Sequence, residues 1–127
     1  MDILIRYGFS IEEIKNMMDT NTELQNIKDQ DILELINFLT SVGCHEEHIM
    51  NIFTCNPFIL NRDIDEVKKL IDTLNKLKIK KLDNIFDINP YLLNMTGDEI
   101  EIFYKENIDK GLTHKEIEKL LYKNISL

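Results

Sequence analysis

A tetrapeptide that opens on asparagine recurs four times in this chain at nearly constant spacing, and few folds are open to a chain so built. The copies are Asn21-Thr22-Glu23-Leu24, Asn56-Pro57-Phe58-Ile59, Asn89-Pro90-Tyr91-Leu92 and Asn124-Ile125-Ser126-Leu127, with first residues 35, 33 and 35 positions apart. A period of that size marks one supersecondary unit stacked on copies of itself. Thirteen positions ahead of each asparagine stands a glycine-and-apolar pair: Gly8-Phe9, Gly43-Cys44, Gly111-Leu112 and, in the third copy, Lys76-Leu77. This interval reads as the fixed part of the unit. The stretch from Asp31, Asp65 or Asp98 to the next such pair, 12, 11 and 13 positions, reads as the variable part.

Within each fixed interval lies an apolar cluster at i, i+3, i+4: Ile14, Met17, Met18; Ile49, Ile52, Phe53; Leu82, Ile85, Phe86; and Ile117, Leu120, Leu121. That spacing makes one face of an α-helix. Ser10-x-x-Glu13 and Thr113-x-x-Glu116 have the form of capping boxes; His45-x-x-His48 and Lys78-x-x-Lys81 fill the same slots. The helix stops at asparagine, and Pro57 and Pro90 start a fresh turn whose residues Phe58, Ile59, Leu60 and Tyr91, Leu92, Leu93 plug the space between layers. A longer helix follows, opening at Asp31, Asp65 or Asp98, with core pairs Leu33 and Ile36, Val67 and Leu70, Ile100 and Phe103. The pattern predicts helices near 2–7, 11–20, 30–42, 45–55, 64–76, 79–88, 98–109 and 113–123, with single turns near 22–25, 57–60 and 90–93. The expected fold is all-α: a curved solenoid, of either hand, with about four tandem repeats of ~34 residues, each of two helices and a short proline-started turn. The repeat units fall near 1–29, 30–63, 64–97 and 98–127, within a single domain. Asn56, Pro57, Asn89, Pro90, Gly43 and Gly111 define the repeat.

The order "glycine-apolar, capping box, apolar helix, Asn-Pro-x-Leu, Asp-led helix" resembles the repeats of the mitochondrial transcription termination factor family. Residues 43–65 and 77–98 carry it best, through Asn56-Pro57-Phe58-Ile59-Leu60 and Asn89-Pro90-Tyr91-Leu92-Leu93. The resemblance extends along essentially the whole chain. It implies a solenoid of three-helix units that, in the family, grips nucleic acid along a basic concave groove. Family members are usually longer and basic and carry organelle-targeting segments; this chain is short and acidic, and its N-terminal residues are not expected to act as such a segment.

Charge bears directly on that implication. The 127 residues carry a formal net charge of −8, from 23 acids against 15 bases. Such a balance argues against a chain built only to neutralise phosphates. The dense basic stretch is Lys68, Lys69, Lys76, Lys78, Lys80 and Lys81, interleaved with Asp65, Glu66 and Asp72. Its plain reading is a solvated helix face. Its sharper reading is a partner or polyanion contact, extended by Lys105, Lys110, Lys115 and Lys119 and lacking the arginine that bidentate recognition favours.

Cys44, His45 and His48 come nearest to a metal cluster, but a structural zinc site takes four ligands and no second Cys/His pair stands at a recognisable spacing. The plain reading puts Cys44 in the core and the two histidines at a helix start. Cys44 and Cys55, 11 positions apart along a helix, are separated by about 16 Å and remain free thiols, which suits a reducing compartment. No apolar run reaches the length of a membrane span, no signal or transit layout opens the chain, and a cytoplasmic location is expected. No nucleophile–base set or glycine-rich phosphate loop is visible, so neither catalysis nor a cofactor is expected.

The favoured expectation is a non-enzymatic scaffold for a protein partner or for self-association, because apolar residues stand at both ends of the chain, Ile3, Leu4 and Ile5 and then Ile125 and Leu127. The alternative is a nucleic-acid-binding repeat protein, by the family resemblance and the lysine stretch.

Overall fold

The structure, a computed structural model, describes residues 2–123, so the fourth tetrapeptide and the apolar Ile125 and Leu127 lie outside the described residues. It is all-α, and the packing divides into two compact units, Met1–Arg62 and Asp63–Leu127. The first unit holds α1 (Asp2–Tyr7), α2 (Ile11–Thr20), a 3-10 turn at Leu24–Asn26, α3 (Asp29–Ser41), α4 (Glu46–Cys55) and a 3-10 turn at Pro57–Asn61. The second holds α5 (Ile64–Lys76), α6 (Leu82–Ile88), a 3-10 turn at Pro90–Asn94, α7 (Gly97–Asp109) and α8 (His114–Leu120).

Helices α1, α3, α5 and α7 end in the same way. An amide two or three residues past the end folds back onto the helix: Phe9 to Leu4 O, Cys44 to Leu39 O, Ile79 to Leu74 O and Leu112 to Asn107 O, each at 3.0 Å. The residue before each of these takes a positive φ: Gly8 (130°), Gly43 (108°), Lys78 (60°) and Gly111 (93°). This is the Schellman closure, which needs one left-handed residue just past the helix. The third copy of the glycine pair is therefore Lys78-Ile79, and not Lys76-Leu77 as spacing suggested; without a glycine to mark the turn, counting back from Asn89 misses it by two.

That correction inverts which part of the repeat is constant. Helices α3, α5 and α7 are each 13 residues long. From the left-handed residue to asparagine, Gly8 to Asn21 and Gly43 to Asn56 span 13 positions, but Lys78 to Asn89 spans 11. The shorter second helix absorbs the difference, with 10 residues in α2 and α4 and 7 in α6. α6 accordingly starts at Leu82, later than the expected 79, because Lys81 also takes a left-handed conformation (φ 58°). α8 also stops short of the expected 123, at Leu120. The carbonyls of Leu121 and Lys123 turn aside to accept from Asn89 Nδ2, at 3.0 and 2.8 Å.

The long helices bury equivalent stripes, Ile32, Leu35, Ile36, Leu39 in α3 and Val67, Leu70, Ile71, Leu74 in α5, with Ile100 and Phe103 in α7. Counted from the turn, Ile32 and Leu35 match Val67 and Leu70, so the expected pair Leu33 and Ile36 is out of register and Leu33 is half-buried. The caps differ from expectation too. Asp63 and Thr96, and not Asp65 and Asp98, cap α5 and α7, Asp63 accepting from Asp65 N–H at 2.9 Å and Thr96 forming a capping box with Glu99. Asp31, Asp65 and Asp98 sit inside the first turns, where they face the positive end of the helix dipole. The capping boxes of Ser10 with Glu13 and Thr113 with Glu116 form as expected, and the bonds from Thr113 hold the Glu116 carboxyl below the usual carboxylate range.

The repeated asparagine does more than stop a helix. Asn21, Asn56 and Asn89 are 1%, 0% and 4% exposed. Asn21 Nδ2 donates to Pro57 O at 3.1 Å and to Asn61 Oδ1 at 3.0 Å, and Asn61 donates back. Asn89 reaches Leu121 and Lys123 in the same manner. Asn21 and Asn89 therefore each latch one repeat to the backbone of the next within their own unit, satisfying buried carbonyls that would otherwise be costly.

Candidate nucleic-acid interface

The 3-10 turns after asparagine present alternating faces. In such a helix residues i and i+3 eclipse. Pro57 and Leu60 point inward with Ile59, as do Pro90 and Leu93 with Leu92, while Phe58 and Tyr91 are 48% and 50% exposed. These two aromatics were expected as plugs; they face solvent instead. Tyr91 follows Ile88, itself 63% exposed at the end of α6.

All six lysines of the basic stretch are exposed. They do not form one patch. Lys69 and Lys76 line a cleft of about 410 Å³ between α5 and the start of α7, together with Glu66, Asp72, Thr73, Thr96, Gly97 and Asp98. Three carboxylates stand beside those two ammonium groups, and Lys69 is 3.6 Å from Glu66, so this part of the stretch is the solvated, charge-mixed face of the plain reading. Lys68 lies on the same helix.

Lys78, Lys80 and Lys81 differ. They sit on the connection between α5 and α6, and two of the three have the left-handed backbone that side chains ordinarily avoid. The connection is held through its main chain by α8. His114 Nε2 lies 3.2 Å from Lys78 O and 3.3 Å from Glu118 Oε1, and Lys80 N–H donates to Glu118 Oε2 at 3.1 Å. Since a carbonyl can only accept, the contact with Lys78 O calls for a proton on Nε2, and Nδ1 shares a hydrogen bond with Tyr104 OH at 2.8 Å. The Tyr104 ring packs edge-on against the imidazole, centroids 5.8 Å apart. The backbone of 78–81 is thus pinned while its three lysine side chains stay in water. Sequence reasoning placed the lysines but not this support, whose one visible signal is the i, i+4 pair of His114 and Glu118. Lys105, Lys110, Lys115 and Lys119 are exposed on α7, α8 and the turn between them.

Cys44, His45 and His48 take the positions of the plain reading. Cys44 is buried, and His48 Nδ1 accepts from His45 N–H at 3.0 Å across the first turn of α4, the rings stacked with centroids 5.5 Å apart. Imidazole here plays the part that glutamate plays at Glu13 and Glu116. Cys44 and Cys55 are both free. Among the described residues no helix is long and apolar enough to cross a membrane.

Comparison with protein families finds that the family model described as mTERF matches residues 1–126. Comparison with the curated proteins finds no match.

Proposed function

As the chain belongs to the mTERF family, we propose that it binds nucleic acid without catalysing a reaction, and that Lys78, Lys80 and Lys81 make its phosphate contacts. The observation that carries this reading is the lysine at position 78. Three sibling turns use Gly8, Gly43 and Gly111 for the left-handed residue, at no steric cost; the fourth holds a lysine there, and Lys81 repeats the strain three residues on. Backbone strain retained where a relaxed alternative exists in the same chain points to a role for the side chain. Three ammonium groups on a connection braced by His114 and Glu118 suit a run of phosphates, which needs charge and position but no base-specific geometry. The net charge of −8 makes this contact local and salt-sensitive.

The test is fluorescence anisotropy of labelled single strands, duplex DNA and RNA over a salt series starting at about 50 mM. Binding is expected, with a triple variant Lys78→Gly, Lys80→Gln, Lys81→Asn weakening it and reducing the salt slope by about 2 to 3. The glycine and asparagine suit the left-handed backbone, so the fold is spared. No binding at low salt, or an unchanged slope in the triple variant, would sink the reading.

A second reading, a protein-contact or self-associating scaffold, rests on Ile5 and Ile11, which are 53% and 77% exposed in the first unit; Leu4 beside them is fully buried. Sedimentation of the full chain with Ile5→Ser and Ile11→Ser tests it: loss of a concentration-dependent dimer supports it, and a monomer throughout removes self-association.

A further inference from the structure

We infer that the nucleic acid taken up by the second unit is single-stranded, with a base stacked on Tyr91; this rests on the nucleic-acid reading above. On α6 the exposed residues Asn84 and Ile88 stand at i, i+4, on one face; exposed Lys81 is the residue just before the helix, and Tyr91, half-exposed, follows Ile88 by three positions on the 3-10 turn. Asn84 and Ile88 are about 6 Å apart along the helix. Along the chain the exposed groups therefore run from a cation, past a carboxamide, to an apolar and aromatic end.

Each station matches a different part of a nucleotide strand. Lys81, with Lys78 and Lys80 beside it on the same connection, offers charge to phosphate. The Asn84 amide can donate and accept at once, as a base edge requires. Tyr91 presents a half-exposed ring, and every base has a face to stack on it. A duplex satisfies the lysines equally well but keeps its base faces inside its own stack, so only an unpaired strand uses the whole run. A protein partner fits less well. Two apolar side chains are a small fraction of the roughly 800 Å² per side that a stable protein interface covers, whereas one ring is enough for one base.

The neighbouring repeat carries the same design in its own unit. Asn51, Cys55 and Phe58 stand 33 positions before Asn84, Ile88 and Tyr91, with Cys55 exposed and Phe58 half-exposed. The acidic Glu47 occupies the slot of Lys80. Aromatic stacking without a phosphate cradle is what the first unit offers, so the second unit is the one that anchors a strand.

The experiment compares a mixed-sequence single-stranded 12-mer with the matched duplex, binding to the full chain and its variants across the same series of salt concentrations. The single strand is expected to bind more tightly. Tyr91→Ser should lower its affinity roughly five- to hundred-fold with the salt slope unchanged, Tyr91→Phe should retain it, and duplex binding should not respond to either. Far-ultraviolet circular dichroism checks the fold of each variant; should Tyr91→Ser fail to fold, Ile88→Ser and Tyr91→Phe carry the comparison. Equal affinity for strand and duplex, or a Tyr91→Ser variant that binds as before, overturns the stacking inference while leaving nucleic-acid binding intact. A chain that binds neither probe removes both.

Discussion

Lys78 and Asn89 illustrate two kinds of single-residue commitment. A non-glycine residue in the left-handed region is disfavoured by about 1–2 kcal/mol. Lys78→Gly removes that strain while the Schellman bonds from Lys78 and Ile79 remain. Urea denaturation of this variant should show stability raised by about 1 kcal/mol, even as phosphate affinity falls. A destabilised Lys78→Gly would mean that the positive φ carries no strain and that the case for a functional lysine has lost its motive. Much of the residue scale was legible: the asparagine stop, the capping boxes of Ser10 and Thr113, and the burial of Cys44 all followed from local spacing. The asparagine latch was not, because three of its partners are main-chain carbonyls 32 to 36 positions away and the other is the Asn61 side chain, 40 away. Every residue has a carbonyl, so no residue type announces the main-chain partners.

At the scale of elements, α5 and α7 pack closely because Gly97, at the start of α7, has no side chain. A Cβ there would stand 2.6 Å from Thr73 Oγ1 and 3.2 Å from Lys69 O, and the latter is backbone that cannot rotate away. Gly97→Ala is therefore expected to lower stability by about 1–3 kcal/mol despite alanine's better helix propensity. Adding Thr73→Ala should recover part of the loss, a coupling readable in a double-mutant cycle by thermal unfolding. If Gly97→Ala proves neutral, the two helices are not in the close register described. Gly97 was not picked out from sequence, because nothing in a lone glycine ahead of Asp98 distinguishes close packing from a loop. Helix existence was legible throughout, since the i, i+3, i+4 clusters are strong. The register of α3 and the start of α6 were not. Both errors trace to taking the aspartates and a glycine-like spacing as landmarks, when the structural landmark is a backbone conformation that Lys78 shares with three glycines.

At the scale of the molecule, stacked repeats hold together through nearest-neighbour terms. The Asn21 latch lies wholly within Met1–Arg62 and the Asn89 latch wholly within Asp63–Leu127. Asn21→Leu and Asn89→Leu each strand buried carbonyls, at about 1–3 kcal/mol per unsatisfied group. Hydrogen exchange should then report faster opening concentrated in the unit that holds the substitution, 1–62 for the first and 63–127 for the second. Uniform loss of protection along the whole chain in both variants would contradict latches of local reach. The family and the all-α repeat were readable at this scale because a repeated error-tolerant pattern averages over its copies. Charge was a poorer guide, since a total of −8 conceals the three lysines gathered between α5 and α6.

The constancy of the long helices has a further consequence. Each asparagine stands eight positions before the next long helix, Asn21 before Asp29, Asn56 before Ile64 and Asn89 before Gly97, and each of those helices then runs 13 residues to its turn. Length changes are confined to the connection that follows the turn and to the short helix. That segment behaves as an exchangeable cartridge in a standard frame: its ends are docked by a left-handed residue and a buried asparagine, its inner face keeps apolar residues such as Ile85 and Phe86 in the core, and variation in length and charge falls on its exposed positions. The segment 78–89 is one such insert, and seated between Gly43 and Asn56 it would offer its lysines from a second address on the same chain.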